Sequence, residues 1–317
     1  MTAARLVGIE IGGTKLQLVR GDGAGHIHER QRFAVDRQDA AEGIRGHIAQ
    51  CLAEFLNTGP IDAVGVGFGG PFDRACGQVA ASYHIEGWHG FALRDWLYER
   101  ARCPVEIDND ANVAALAEAQ LGAARGYNPS FYVTLGSGVG GGLIVDGRRY
   151  HGGGPTECEI GHLRLDAHGT IVEERCSGWS LDRLVREAVE QTGTAESGPL
   201  ARAVRVQNTP GHEARLLRPA LNAGDPLAAQ LLDAHAENLA LALSHVVQLL
   251  APQCIVLGGG VSLIGEPLRA RVAQALRPRQ MDVFGAGPVV ALAATGEDAV
   301  PLGALLLANE ARQATPA

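Results

Sequence analysis

Apolar residues in this chain gather in short runs that stop at glycine, and elsewhere they recur at helical spacing. RLVGIEI, GGTK and LQLVRG at the start read as strand, turn and strand. Over 40–56, Ile44, Ile48, Cys51, Leu52 and Phe55 fall on one helical face. AVGVGFG at 63–69 is a short strand entering a loop with Pro71, and 91–102 is helical. Pro104 ends that helix, and VEI starts a strand that runs into DNDAN. Val113, Leu116, Ala117 and Leu121 then share a helix face, with Gly122 or Gly126 as the stop.

The second half repeats the theme. FYVTL, GSGVGGG and LIVDG give strand, glycine turn and strand. Residues 151–180 are rich in loop formers, and 191–217 carry no clear period. A helix covers about 227–250 and stops at Pro252; CIVLGGG at 254–260 is a buried strand ending in glycines. A helix at 266–276, an apolar run at 288–294 and a helix at 301–312 follow. The two glycine-turn hairpins, near 7–20 and 132–147, point to two similar α/β halves.

Composition narrows the classes. With 317 residues, 46% hydrophobic and 42 of them glycine, the chain suits two domains with many tight turns. A net charge of −8 argues against a nucleic acid or an anionic membrane as partner. No long apolar segment reads as a signal peptide or a membrane span, and the six cysteines form no C-x-x-C pair. A cytoplasmic protein with reduced thiols is expected.

Gly136, Gly138 and Gly141 match the dinucleotide fingerprint G-x-G-x-x-G. That fingerprint must open a helix, whereas here LIV and an Asp146-Gly147 turn follow. The glycines therefore lie between strands, where their backbone N–H groups can still converge on phosphate. IEIGGTK offers a second such turn, with Lys15 to neutralise charge, and CIVLGGG a third strand ending in glycine. Three such turns in two halves fit one long polyphosphate ligand.

DNDAN places Asn109 and Asp110 where a strand becomes a helix. Both residue types favour an N-cap. A carboxylate facing a held phosphate also suits the general base of phosphoryl transfer, and Asn109 can hydrogen-bond a sugar hydroxyl. ECEIGH at 157–162 sets Glu159 and His162 three apart, with Glu173-Glu174 beyond, a density of polar groups that a polyol pocket requires.

In their order these segments resemble the ROK family of sugar kinases, of the actin-like (ribonuclease H-like) ATPase fold. IEIGGTK is similar to its first phosphate loop, GVGFGGPFD to G-I-G-x-P-G-x-V-D, and IDNDAN to the segment with its catalytic Asn-Asp. TLGSGVGGG is similar to the second phosphate loop, ECEIGH to G-E-I-G-H, IVLGGGVS to the adenosine loop and PLGALLLA to the closing helix.

The resemblance implies a two-lobed α/β protein with ATP and sugar in the inter-lobe cleft. Residues 1–115 would form the small lobe, joined by a returning helix at about 301–317, and 116–300 the large one. It implies ATP- and Mg²⁺-dependent phosphorylation of a hexose at the 6-hydroxyl, glucose first, with an N-acetylhexosamine or fructose as alternatives. Asp110 would be the base. Gly70, Asn109, Asp110, Glu159, His162 and Glu173 would bind the sugar. Gly12, Gly13, Thr14, Lys15, Ser137, Gly138, Gly258 and Gly259 would bind ATP, and Glu10 would hold Mg²⁺, directly or through water. A homodimer is what the family suggests.

The chain departs from the family pattern in places. Glu10 stands where Asp is usual, Cys158 replaces a glycine, and His84 replaces the Asn ahead of Trp88. LRLDAHGTIV, between His162 and Glu173, lacks the cysteines of the family's zinc motif, so no zinc is expected. A sugar-sensing regulator would need a helix-turn-helix before the first phosphate loop, where only a handful of residues stand. A partner-driven actin-like ATPase would hydrolyse ATP without regard to sugar, and a degenerate family member would not be expected to retain Asn109-Asp110 and ECEIGH.

Overall fold

The computed structural model describes residues 4–35, 40–80, 82, 85–154, 156–192, 198–207 and 210–314. In chain order the elements are β1 (Leu6–Ile11), β2 (Lys15–Gly21), β3 (Ile27–Ala34), α1 (Ala40–Asn57), β4 (Ala63–Phe68), β5 (Phe72–Asp73), β6 (Gln78–Val79), α2 (Leu93–Ala101), β7 (Val105–Asn109) and α3 (Asp110–Gln120). There follow β8 (Ser130–Leu135), β9 (Val139–Val145), β10 (Arg148–Arg149), α4 (Val172–Cys176), α5 (Gly178–Gln191), α6 (Pro199–Gln207), α7 (Leu217–Asn222), α8 (Pro226–Leu250), β11 (Cys254–Gly258), α9 (Glu266–Leu276), β12 (Val289–Leu292) and α10 (Ala299–Ala314).

Two five-stranded sheets carry one plan. The first has the order β3-β2-β1-β4-β7, the second β10-β9-β8-β11-β12. In the first, β2 is antiparallel to β1 and to β3, while β4 runs parallel to β1 and to β7. In the second, β10 and β9 are antiparallel, and β11 runs parallel to β8 and to β12. The parallel steps need helical crossovers, which α1 and α2 supply in the first sheet. The repeated glycine hairpin thus marks a repeated sheet plan.

The chain divides into two compact units. One comprises 1–125, 142–157 and 295–317; the other comprises 126–141 and 158–294. The boundary expected at 115 therefore falls ten residues later. The reason is that α3 continues to Gln120 and packs on α10, the returning helix, which starts at Ala299. Residues 142–157 also belong to the first unit, so the chain changes unit within β9.

Central strands are apolar on both faces because helices cover both sides. β4 is buried throughout, and β1 in all but Glu10. The first unit's core gathers Ile9, Ile11, Leu18, Ile48, Phe55, Val66, Phe68 and Trp88, among others. β3 was not expected: its sequence IHERQRFA is mostly exposed, as an edge strand allows.

The expected loop over 151–180 ends early. Ser177 caps α5, its hydroxyl accepting from Ser180 N at 3.2 Å, and Leu181, Val185 and Val189 are buried along one face. The region without a period holds α6, and the part of it at 193–197 and 208–209 lies outside the described residues. Among the described residues no helix is long and apolar enough to cross a membrane.

Candidate active site

In the first unit the β1–β2 turn is closed by Gly12 N–H donating to Lys15 O at 2.9 Å. Gly12 and Gly13 share a pocket with Ile11, Phe68, Gly69, Ser82, Ile85 and Trp88. Thr14 is exposed. The Lys15 ammonium lies 3.1 Å from Glu10 Oε1, and Gln17 Nε2 donates to Glu10 Oε2 at 2.6 Å. Burial nevertheless pushes the Glu10 carboxyl above the usual range, against the lowering by Lys15 and Gln17. A further cation beside it would offset that desolvation.

Asn109 ends β7 and Asp110 opens α3, the strand-to-helix passage expected, and they divide the work. Asn109 is the N-cap of α3: its Oδ1 accepts from Ala111 N at 2.9 Å and its Nδ2 donates to Gly70 O at 3.3 Å. The side-chain cap of α3 at Ala111 N therefore falls to Asn109. Gly69 N–H donates to Ile11 O at 2.8 Å, which ties the β4 exit to β1. A Cβ built on Gly69 would lie 3.3 Å from Asp110 Oδ2 and 3.5 Å from the Gly12 Cα. The carboxylate therefore stands against the glycine turns of β1 and β4, and Gly69 provides the room.

In the second unit the β8–β9 turn is closed by Gly136 N–H donating to Gly138 O at 3.0 Å. Glu173 Oε2 accepts from Val139 N at 2.8 Å, and a Cβ on Gly138 would lie 2.4 Å from that oxygen. Glu173 is thus brought to the glycine turn that contains Ser137. Gly178 N–H donates to Gly136 O at 2.7 Å, so the start of α5 braces the same turn. Glu159 and His162 bound one 3₁₀ turn, with His162 N–H donating to Glu159 O at 3.1 Å and both side chains exposed. Cys158, just before them, has a φ of 57°, a left-handed conformation that a glycine would adopt without strain.

Gly258 ends β11 and Gly259 follows it, both at close approaches. A Cβ on Gly258 would meet the Tyr132 hydroxyl at 2.1 Å, and one on Gly259, with φ 78°, the Leu135 backbone at 2.6 Å. His84 lies outside the described residues.

Sequence reasoning missed a cluster beside Asp110. Asp108 is fully buried and accepts from Asn109 N at 2.8 Å, Asn112 Nδ2 at 3.1 Å, Arg74 Nη1 at 3.5 Å, His151 Nε2 at 2.8 Å and Arg149 Nη1. Burial alone would push its carboxyl up; the hydrogen bond from His151, the Arg149 guanidinium and Asn112 hold it at about 2. Glu157 completes the set, accepting from Arg74 Nη2 at 2.8 Å and Asn112 Nδ2 at 2.6 Å. Asp108, His151 and Glu157 have ligand atoms within 4.8 Å of one another. Two guanidiniums already balance the two carboxylates, so the group closes as an ion-pair network. Its one visible signal was the first Asp of DNDAN.

The chain belongs to the ROK family, whose model matches residues 6–311, and its structural neighbours are ROK sugar kinases of the actin-like ATPase fold. It is 30% identical to a glucokinase of Halalkalibacterium halodurans over 94% of this chain and 92% of that one. It is 28% identical to a glucokinase of Thermotoga maritima, covering 98% and 99% of the two chains. A ROK family glucokinase from Streptomyces griseus, solved in complex with glucose and AMPPNP, superposes with a TM-score of 0.83 at 28% identity, over 97% of this chain and 100% of that one.

Proposed function

We propose that this chain transfers the γ-phosphoryl group of ATP to the 6-hydroxyl of glucose. The observation that carries the reading is the Asp110 carboxylate, held at the start of α3 against the glycine turns of β1 and β4. The glucokinases it resembles support glucose as the hexose.

Asp110 accepts the proton of the 6-hydroxyl as its oxygen attacks. The O6–P bond forms, the bond from Pγ to the β–γ bridging oxygen breaks, and ADP leaves with that electron pair. Phosphoryl transfer asks little covalent chemistry of a protein and much positioning. The backbone N–H groups of Gly13, Thr14, Ser137 and Gly138 hold the phosphates, Gly12 shaping the first turn through its bond to Lys15 O, with Gly258 and Gly259 at the nucleoside. Asn109, Glu159, His162 and Glu173 bind sugar hydroxyls, and Gly70 bounds that site.

Glu10 fits a hard divalent cation: it is a half-buried carboxylate with its pKa raised despite Lys15. Mg²⁺ there, bound directly or through water, would neutralise phosphate charge. The six cysteines are unbridged thiols, as suits work in the reducing cytoplasm.

An ADP-release assay over glucose, fructose, N-acetylglucosamine and N-acetylmannosamine tests the substrate. Glucose is expected to give the highest kcat/KM; turnover only with another sugar would replace glucose, and ATP hydrolysis indifferent to every sugar would remove the kinase reading. Lys15→Met tests the first phosphate turn. It is expected to raise KM for ATP about tenfold, the loss of one charge-assisted hydrogen bond, with KM for sugar within about twofold. An unchanged KM for ATP would take Lys15 out of the nucleotide site.

A further inference from the structure

We infer that Asp108 and Arg149 form a positioning clamp that sets the direction of the Asp110 carboxylate, a role that rests on reading Asp110 as the base. Asp108 is two residues before it, near the end of β7 and paired there with Gly67. One Asp108 oxygen reaches both forward and down the helix: Oδ1 accepts from Asn109 N at 2.8 Å and from Asn112 Nδ2 at 3.1 Å. That pair of bonds spans the corner in which Asp110 sits. The other oxygen, Oδ2, is taken by Arg149 Nη1 and by His151 Nε2 at 2.8 Å.

Arg149 in turn anchors the corner elsewhere. Its Nη2 donates to Glu310 Oε2 at 2.9 Å, on α10, which packs along α3. Its side chain is 9% exposed and that of Asp108 is 0% exposed, so solvent does little to screen the pair. Arg74 and Glu157 close the other side, with Glu157 Oε1 sharing Asn112 Nδ2 at 2.6 Å. The partners of Asp108 therefore tie four pieces of chain to one corner: the end of β7, the helix α3, the loop after β5 and the segment of β10 with His151. A full charge, buried and multiply bonded, costs more to assemble than apolar packing of the same volume. Its return here is a fixed corner next to the reacting group, where a displacement of about 1 Å costs up to about 10²-fold in rate.

The test uses the full chain with Arg149→Met, Arg149→Lys and Asp108→Asn. Kinetics with glucose and ATP are read together with amide hydrogen exchange at 109–112. Arg149→Met is expected to lower kcat about tenfold, with KM for ATP within about twofold, and to speed exchange at Asn109 and Ala111. Arg149→Lys restores the cation facing Asp108 and is expected to recover a large part of kcat. Asp108→Asn is expected to behave as Arg149→Met, and the double variant to be no worse than either single one, because the two act as a unit.

A normal kcat in Arg149→Met would overturn the clamp. So would a Lys variant as poor as the Met variant, additive losses in the double variant, or lost turnover with unchanged exchange at 109–112. If the unmodified protein phosphorylates no sugar, the functional reading has failed on its own. The exchange measurement then still decides the clamp, since unchanged rates at 109–112 in all three variants would overturn it.

Discussion

Asp110→Asn is expected to lower kcat by about 10²–10⁴-fold, the range for loss of a general base, with KM for ATP nearly unchanged. The substitution is isosteric, so the room made by Gly69 is preserved: the space between its would-be Cβ and Asp110 Oδ2 is 3.3 Å, and an amide occupies it as well as a carboxylate. The cap of α3 also survives, because Asn109, not Asp110, accepts from Ala111 N. Folding is therefore spared and the loss falls on chemistry. Thermal unfolding within about 2 °C of the parent, together with the collapse of kcat, is the expected pair of results. Turnover near normal would remove Asp110 from the proton transfer. A collapse of both Tm and kcat would make it a structural residue.

How far the sequence disclosed this arrangement differs between backbone and side chains. The glycine hairpins were legible because a tight turn between strands leaves its mark in composition, and both sheets follow from them. The Asn109-Asp110 pair was legible because a strand-to-helix corner needs a cap, and the structure assigns that duty to Asn109. β3 was not legible: its exposed edge carries no apolar alternation strong enough to separate it from loop. Nor was α5, because its apolar stripe begins only after a glycine and a serine at 177–178 that read as turn. The clamp around Asp108 was hidden for a different reason. Arg74, Arg149, His151 and Glu157 each read alone as solvated charges, and only the fold brings them to one buried carboxylate. Glu173 shows the same limit. The resemblance assigned it to the sugar, while the structure adds its bond to Val139 N in the second glycine turn.

The second large effect is on stability: Gly303→Ala is expected to destabilise the protein by about 3 kcal/mol. α10 lies so close to its neighbours that glycine is a spacing requirement. A Cβ on Gly303 would lie 1.9 Å from Val113 O and 2.7 Å from Val113 C in α3. On the facing strand β4 the same closeness recurs, since a Cβ on Gly65 would lie 2.0 Å from Ala304 O and one on Gly67 2.4 Å from Val300 Cγ1. These obstacles at Gly303 are mostly backbone, which cannot rotate away as a flexible side chain could. Alanine gains about 1 kcal/mol over glycine inside a helix, and the forced separation of α10 from α3 outweighs that gain. The sign is set by contact, which a matched substitution exposes. Gly46 lies in α1 with nothing within 4 Å of its would-be Cβ, so Gly46→Ala keeps the helical gain and is expected to stabilise by up to about 1 kcal/mol. Differential scanning of the two variants should then give shifts of opposite sign, with Gly303→Ala lower by about 5 °C. Equal shifts in the two would mean that α10 does not depend on glycine for its approach. Because α3 begins at Asp110, a displaced α10 is also expected to reduce kcat in the Gly303 variant, whereas Gly46→Ala should leave it unchanged.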